Sequence, residues 1–502
     1  MTELPASRSA TQRIHVGNAW PIITFAAIVA LTYGYETFSF HLTLDEELFG
    51  ENVRNVSSWV AEGRWSMALL SLALPSAVVP VVSTGLGVVL SSIAWWGLSR
   101  RYLSMSPWQA TFAASMAGTV PVLAFIFSFS TIAYGIGVGN LLLLAFLWGL
   151  SSRSWVHRGL GMFAGAAAIG IYDSFLVALA ALSLVHLLNR VTTKEISLSA
   201  LMLGGSLAVS RTLSEAVLAV SGVHRGAYVA QFVDFAGLID HPKMRLSSAL
   251  HSYGQTLWLS SERFGLHSPW LAISVGVLVL LGIAGIGTGP GTMLERGIQL
   301  GFVGCLILLP LGAEAISASP VQLRSMLYLP TILLIISAMG VRAIGRWRKK
   351  PAVVACAVVA AVVALAVLGN AVISNRLFAS SEAAASLDQK LAFEIGQEKD
   401  RLSHTNSTTT VPILVSGKHE WPHTVFTPTR EALGVSFFNW DGGATRVAYF
   451  LQTRGVMVSP AAFGTSAGWR ELNSMPTYPQ PGWVEYDNGM LLVKFGDRTQ
   501  DQ

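Results

Sequence analysis

Between the basic run Arg342, Arg346, Arg348, Lys349, Lys350 and the next charge at Arg376, the chain carries no ionisable side chain except Cys356, and residues 351–373 are almost wholly apolar. A helix of that length crosses the hydrocarbon core of a bilayer; in water it would need apolar cover on every side. The pattern recurs along the whole sequence. With 52% hydrophobic and only 12% charged residues over 502 positions, and a mean hydropathy of +0.53, the composition excludes a soluble globular domain. It points to a polytopic α-helical membrane protein.

Apolar runs predict spans over 19–40, 78–98, 108–127, 132–150, 197–220, 269–286, 298–312, 327–341 and 351–373. The stretch 159–188 is long for one span and is interrupted by Tyr172-Asp173-Ser174, so it is read as two short helices meeting near the outer face. The total is about 11 transmembrane helices. Arg8, Arg13, Arg100, Arg101, Arg153, Arg158, Arg190, Lys194, Arg296 and the Arg342–Lys350 run fall at alternate span ends, which makes those ends cytoplasmic. The formal charge of +5 therefore reports topology and not a nucleic-acid partner. Cys305 and Cys356 lie inside spans, which speaks against a disulfide framework. The apolar run after residues 1–17 shows no small-residue cleavage signature, so the first helix is expected to be retained.

This orientation leaves two large outer loops, 41–77 and 221–267, and an outer tail, so the chain divides into a membrane domain, 1–374, and a C-terminal domain, 375–502. The first loop opens on three consecutive carboxylates, Asp45, Glu46 and Glu47. They read either as an ordinary acidic loop or as a site at the membrane surface. Residues 50–62 set Phe49, Val53, Val56 and Val60 along one side opposite Glu51, Arg54, Asn55 and Ser58, which suits an interfacial helix anchored by Trp59 and Trp65. Pro75 and Pro80 break the next apolar run, so residues 66–76 are expected to dip into the membrane without crossing. The second loop mixes Tyr228, Phe232, Val233, Phe235 and Leu238 with Asp234, Asp240, His241, Lys243 and Arg245.

Arg211 and Glu215, four apart within a span, read as a buried structural pair or as ligand contacts. Glu314 and Arg324 sit in an outer loop. In the tail, Leu387, Leu391 and Ile395 predict a helix over 381–405. Val447–Leu451 and Leu491–Phe495 predict short strands, and Trp421, Trp440, Trp469 and Trp483 are spread between polar residues. A small α/β or mainly β domain follows.

Leu44-Asp45-Glu46-Glu47 joined to Gly63-Arg64-Trp65, then Ile171-Tyr172-Asp173-Ser174, then Ser474–Gly482 followed by Gly489–Phe495, resemble in order the serotype-converting glucosyltransferases of bacteria and phages, the glucosyl transferase type II group. That family more often carries Gln at the position of Asp173. The resemblance implies a large polytopic, GT-C-like glycosyltransferase of the bacterial inner membrane. Its donor would be a polyprenyl-phosphate sugar, usually undecaprenyl-phosphate glucose. Its acceptor would be a lipid-linked O-antigen or related envelope polysaccharide.

On this resemblance the acidic loop supplies the catalytic carboxylate. Asp45 is the expected base, with Glu46 its rival, and the third acid, Glu47, leaves open which one acts. Such chemistry needs a base for the acceptor hydroxyl and cations for the departing phosphate. Arg324 and Arg64 are assigned to the phosphate, because guanidinium offers a bidentate fork and keeps its charge when partly dry. Arg211 stands in reserve. Glu47, Tyr172, Asp173, Glu215 and Glu314 are expected to touch substrate. For Arg324 the alternative is an anchor to lipid headgroups. No cofactor is expected, and a divalent ion held by carboxylates alone is left open. Rival functions are a transporter or flippase, and a polymerase or ligase of the same envelope pathway.

Overall fold

The computed structural model describes residues 19–39, 41–50, 55–74, 79–189, 192–226, 234–289, 292–317, 319–344, 349–403, 409–421, 429, 431, 433–439, 443–461 and 466–497. The expectations resting on Arg8, Arg13, Glu51, Val53, Arg54, Pro75, Arg190, Tyr228, Phe232, Val233, Arg346, Arg348 and Trp440 lie outside these residues.

The chain is a helical bundle with a small sheet at its C-terminal end. Among the described residues seven helices are long and apolar enough to cross a membrane. They are α1 (Ala19–Phe38), α5 (Pro80–Gly97), α8 (Ala133–Ser151), α11 (Thr193–Ser221), α15 (Trp270–Gly287), α16 (Met293–Ala315) and α18 (Lys349–Ser403). The other four expected spans correspond to shorter helices. One is broken into α6 (Pro107–Gly118) and α7 (Val122–Phe127); the rest are α9 (Trp155–Ile171), α10 (Phe175–Asn189) and α17 (Leu329–Ile344). Thr119-Val120-Pro121 separates α6 from α7, because Pro121 has no N–H to continue the ladder.

Close helix contacts depend on glycine. A Cβ at Gly149 of α8 would lie 2.6 Å from Gly161 Cα of α9, so these helices meet backbone to backbone. Gly340 of α17 presses likewise on Leu278 of α15, where a Cβ would stand 2.7 Å from Leu278 Cδ2.

Several expectations change at the first loop. Its helical pieces are α2 (Glu47–Gly50), α3 (Val56–Ala61) and α4 (Trp65–Ala73). Asn55 caps α3, accepting from the Ser57 N–H at 2.9 Å. Trp59 and Trp65 are buried and are not interfacial anchors; Trp65 donates from Nε1 to Ser210 Oγ of α11 at 3.2 Å. The nine residues of α4 are too few to cross a bilayer, as a dipping segment requires. The second loop folds into α12 (Phe235–Asp240), α13 (Pro242–Leu257) and α14 (Ser261–Phe264).

In the tail the span expected at 351–373 and the helix expected over 381–405 are one continuous helix, α18, with Leu391 and Ile395 buried. After it, β1 (Val411–Ser416), β2 (Val458–Pro460), β3 (Val484–Asp487) and β4 (Met490–Lys494) form a sheet in the order β2-β1-β4-β3. β1 runs parallel to β2 and β4, and β3–β4 is an antiparallel hairpin. The strand expected at Val447–Leu451 is instead part of a helix, α19 (Gly443–Thr453), and a last helix, α20 (Ser466–Ser474), follows. Val447, Phe450 and Leu451 fall on one buried helical face at i, i+3, i+4.

Candidate active site

Asp45 stands at φ +87°, a backbone region that non-glycine residues rarely occupy. Its neighbour Glu46 fixes it there. Glu46 is fully buried, and its Oε1 accepts from the Ser130 N–H at 2.6 Å and Ser130 Oγ at 2.7 Å, while Oε2 accepts from the Thr43 N–H at 3.1 Å. Thr43 Oγ1 in turn donates to the Ser128 carbonyl at 3.3 Å. The acidic loop is thus pinned to the Ser128–Thr131 turn between α7 and α8. Burial pushes the Glu46 carboxyl up to about 7 despite the hydrogen bonds it accepts.

The Asp45 side chain keeps some exposure, 21%, and meets two guanidinium groups. Arg324 Nη1 lies 2.8 Å from Oδ2, and Arg446 Nη2 lies 2.5 Å from Oδ1. Arg446, on α19, also donates from Nε to Glu47 Oε1 at 2.7 Å. Burial pushes the Glu47 carboxyl up, with Arg446 acting against it.

Arg324 belongs to a 3-10 turn, Leu323–Ser325, that three other elements hold in place. Glu314, buried at the end of α16, accepts from the Val321 N–H at 3.0 Å and from Ser252 Oγ at 3.1 Å. Glu431, from the tail, accepts from the Leu323 N–H at 2.8 Å and from Arg263 Nη2 at 3.3 Å. Burial pushes its carboxyl up, and Arg263 opposes the shift. Tyr172, at the break between α9 and α10, shares a 2.9 Å hydrogen bond between its hydroxyl and Ser325 Oγ. Arg324 Nε donates to Gln322 Oε1 at 2.8 Å, and its guanidinium carbon sits 5.2 Å from the Phe129 ring centre.

Arg64 is one step removed. It pairs with Glu62 at 3.1 Å and lies over the rings of Tyr172 and Trp59, at 4.4 and 5.4 Å from their centres. Arg211 and Glu215 do not form the buried pair the spacing suggested. Both are exposed; Arg211 faces Asp173 at 3.3 Å, and Glu215 pairs with Arg225. The structure therefore brings Asp45 and Arg324 into direct contact, joins Glu47 to Asp45 through Arg446, and ties Glu46, Tyr172, Arg64 and Glu314 to them through neighbouring groups. Arg211, Asp173 and Glu215 make ion pairs of their own.

Sequence reasoning missed Arg446, Glu431 and Arg263. The five-residue apolar run beside Arg446 fits a strand and a helix alike, so it did not mark Arg446 as lying on a packed helix. Glu431 and Arg263 carry no local signal.

The model of the glucosyl transferase GtrII family matches residues 34–384, more than half of the chain. The chain belongs to this family. It is accordingly a glycosyltransferase, embedded in a membrane by several apolar helices. The GtrII match takes in Asp45, Arg64, Tyr172 and Arg324 and ends before Glu431 and Arg446. No curated protein and no solved structure matches the chain.

Proposed function

We propose that this GtrII-family enzyme transfers glucose, with inversion, from undecaprenyl-phosphate glucose to a lipid-linked O-antigen or related envelope polysaccharide. The reaction takes place on the periplasmic face of the bacterial inner membrane. The observation that carries the reading is Asp45, partly exposed at a positive φ and bracketed by arginine.

In this reading Asp45 removes the acceptor hydroxyl's proton as that oxygen bonds to the sugar's anomeric carbon. The bond from that carbon to the phosphate oxygen breaks, and its electron pair leaves with the polyprenyl phosphate. Glu46 is unsuited to the proton transfer, because it is fully buried and occupied by Ser130 and Thr43. Its part is to hold Asp45 in the strained conformation. Arg324 meets the phosphate, while Arg64, through Tyr172, supports the turn that carries it. Positive charge at the phosphate comes from arginine in this scheme, and no resident cofactor takes part.

The test is Asp45→Asn in nanodiscs supplied with undecaprenyl-phosphate glucose and a lipid-linked acceptor. Turnover should fall by at least ~100-fold while the donor still binds, as expected for removal of a general base. Turnover close to wild type would remove Asp45 from the role. Loss of transfer in Glu46→Gln with Asp45→Asn active would move the base by one residue.

A further inference from the structure

We propose that Arg446 is a second donor-phosphate residue, so that the C-terminal segment supplies half of the cationic site. The inference rests on the reading above and extends it to a residue outside the family-matched stretch.

Arg324 and Arg446 come from distant parts of the chain and approach different oxygens of one carboxylate, Oδ2 and Oδ1 of Asp45. A phosphate presents its non-bridging oxygens to guanidinium groups in much the same way. The two arginines are therefore already disposed to share one anion between them. Arg446 is well covered, with a side chain only 13% exposed, so a charge brought to it is poorly screened by water.

The reaction explains why one cation would be insufficient. The donor is a phosphodiester with a single negative charge. When the bond to the sugar breaks, the phosphate keeps the electron pair and becomes a monoester carrying a second charge. Groups that meet this added charge act more strongly in the transition state than in the ground state, which is the condition for raising kcat. Arg446 can do so without leaving its anchor. Guanidinium has five N–H donors, and Nε is already committed to Glu47 Oε1. With the planar fork held on Glu47, whose Oε1 also lies 2.6 Å from Nη2, a phosphate can replace Asp45 Oδ1 beside the Nη groups, which releases that oxygen for the acceptor hydroxyl. Glu47, fully buried and with its Oε2 lacking a hydrogen-bond partner, is the positioning residue for Arg446.

The experiment compares wild type with Arg446→Gln and Arg446→Lys in nanodiscs, reading kcat, both KM values and the inhibition constant of undecaprenyl phosphate. Arg446→Gln should lower kcat/KM for the donor on the order of 100-fold, as for loss of one oxyanion-stabilising group. The inhibition constant of undecaprenyl phosphate should rise about tenfold or more, with the acceptor KM unchanged. Arg446→Lys should fall between, since lysine keeps the charge but not the fork. A folded Arg446→Gln that binds undecaprenyl phosphate as tightly as wild type overturns the proposal, and so does a rise confined to the acceptor KM. If Arg446→Gln does not fold, Arg446→Lys is read alone, and an unchanged inhibition constant overturns it. Binding of undecaprenyl phosphate is measured without sugar transfer. An Arg446-dependent affinity in an enzyme that transfers no glucose would sink the proposed reaction and leave the phosphate site standing.

Discussion

Tyr172 and Ser325 share a 2.9 Å hydrogen bond across 153 positions of sequence, which joins the break between two short helices to the turn that carries Arg324. The Tyr172 ring also lies beneath the Arg64 guanidinium. One side chain therefore connects two of the arginines that sequence reasoning assigned to the donor phosphate. Neither of them needs to touch the other.

This linkage predicts a graded response. Tyr172→Phe keeps the ring under Arg64 and deletes only the hydroxyl, a loss of about 1 kcal/mol for a hydrogen bond of this kind. The donor KM should rise several-fold with little change in acceptor KM. Tyr172→Ala also removes the cation–π contact, worth about 0.5–2 kcal/mol, and should be worse on the same axis. Steady-state kinetics in nanodiscs check it, and a Tyr172→Phe enzyme within twofold of wild type would show that the Arg324 turn does not depend on this bond.

Glu46 predicts a pH dependence of stability. Burial raises its carboxyl from the ordinary value of 4.5 to about 7. Between those values the unfolded chain releases its proton while the folded chain retains it, so the folded state binds more protons and stability falls as pH rises. Below 4.5 both states are protonated, and above 7 both are ionised, so the contribution is level outside the window. The difference between 4.5 and about 7 corresponds to about 3 kcal/mol. Glu46→Gln cannot titrate. The gap in thermal stability between wild type and Glu46→Gln should shift in the variant's favour from pH 4.5 to 7 and then stay constant. A gap independent of pH would mean that the buried carboxyl titrates near its ordinary value.

Helix positions were legible because span length and apolar content are local properties of sequence. The break at Tyr172-Asp173-Ser174 could be read for the same reason, from an apolar stretch too long for one helix. Val447–Leu451 was misjudged because a five-residue apolar run fits a strand and a helix alike, and only packing decides. The partners of Asp45 were the harder part. Arg446 is 401 positions away, and nothing in the sequence around either residue names the other. Glu46 and Asp45 are adjacent and chemically similar, yet one is sealed against Ser130 and the other faces the arginines. That division follows from the loop's docking on the α7–α8 turn and is invisible until the chain is folded.

The last prediction concerns which side of the membrane holds the site. α18 has 55 residues, so it is about 80 Å long, whereas the hydrocarbon core is about 30 Å thick. Its uncharged part ends before Arg376, and the rest must project from the membrane towards the sheet. Arg446 touches Asp45, so the tail and the acidic loop share one face. Only α1 separates Asp45 from the N-terminal segment with Arg8 and Arg13, and the charge bias predicts that this segment is cytoplasmic. The site should therefore be periplasmic. Phe393, at 65% exposure, is a good reporter of that side. With Cys305 and Cys356 replaced by alanine, Phe393→Cys should react with a membrane-impermeant thiol reagent in intact spheroplasts. Labelling only after permeabilisation would reverse the orientation and place the transfer reaction on the cytoplasmic side.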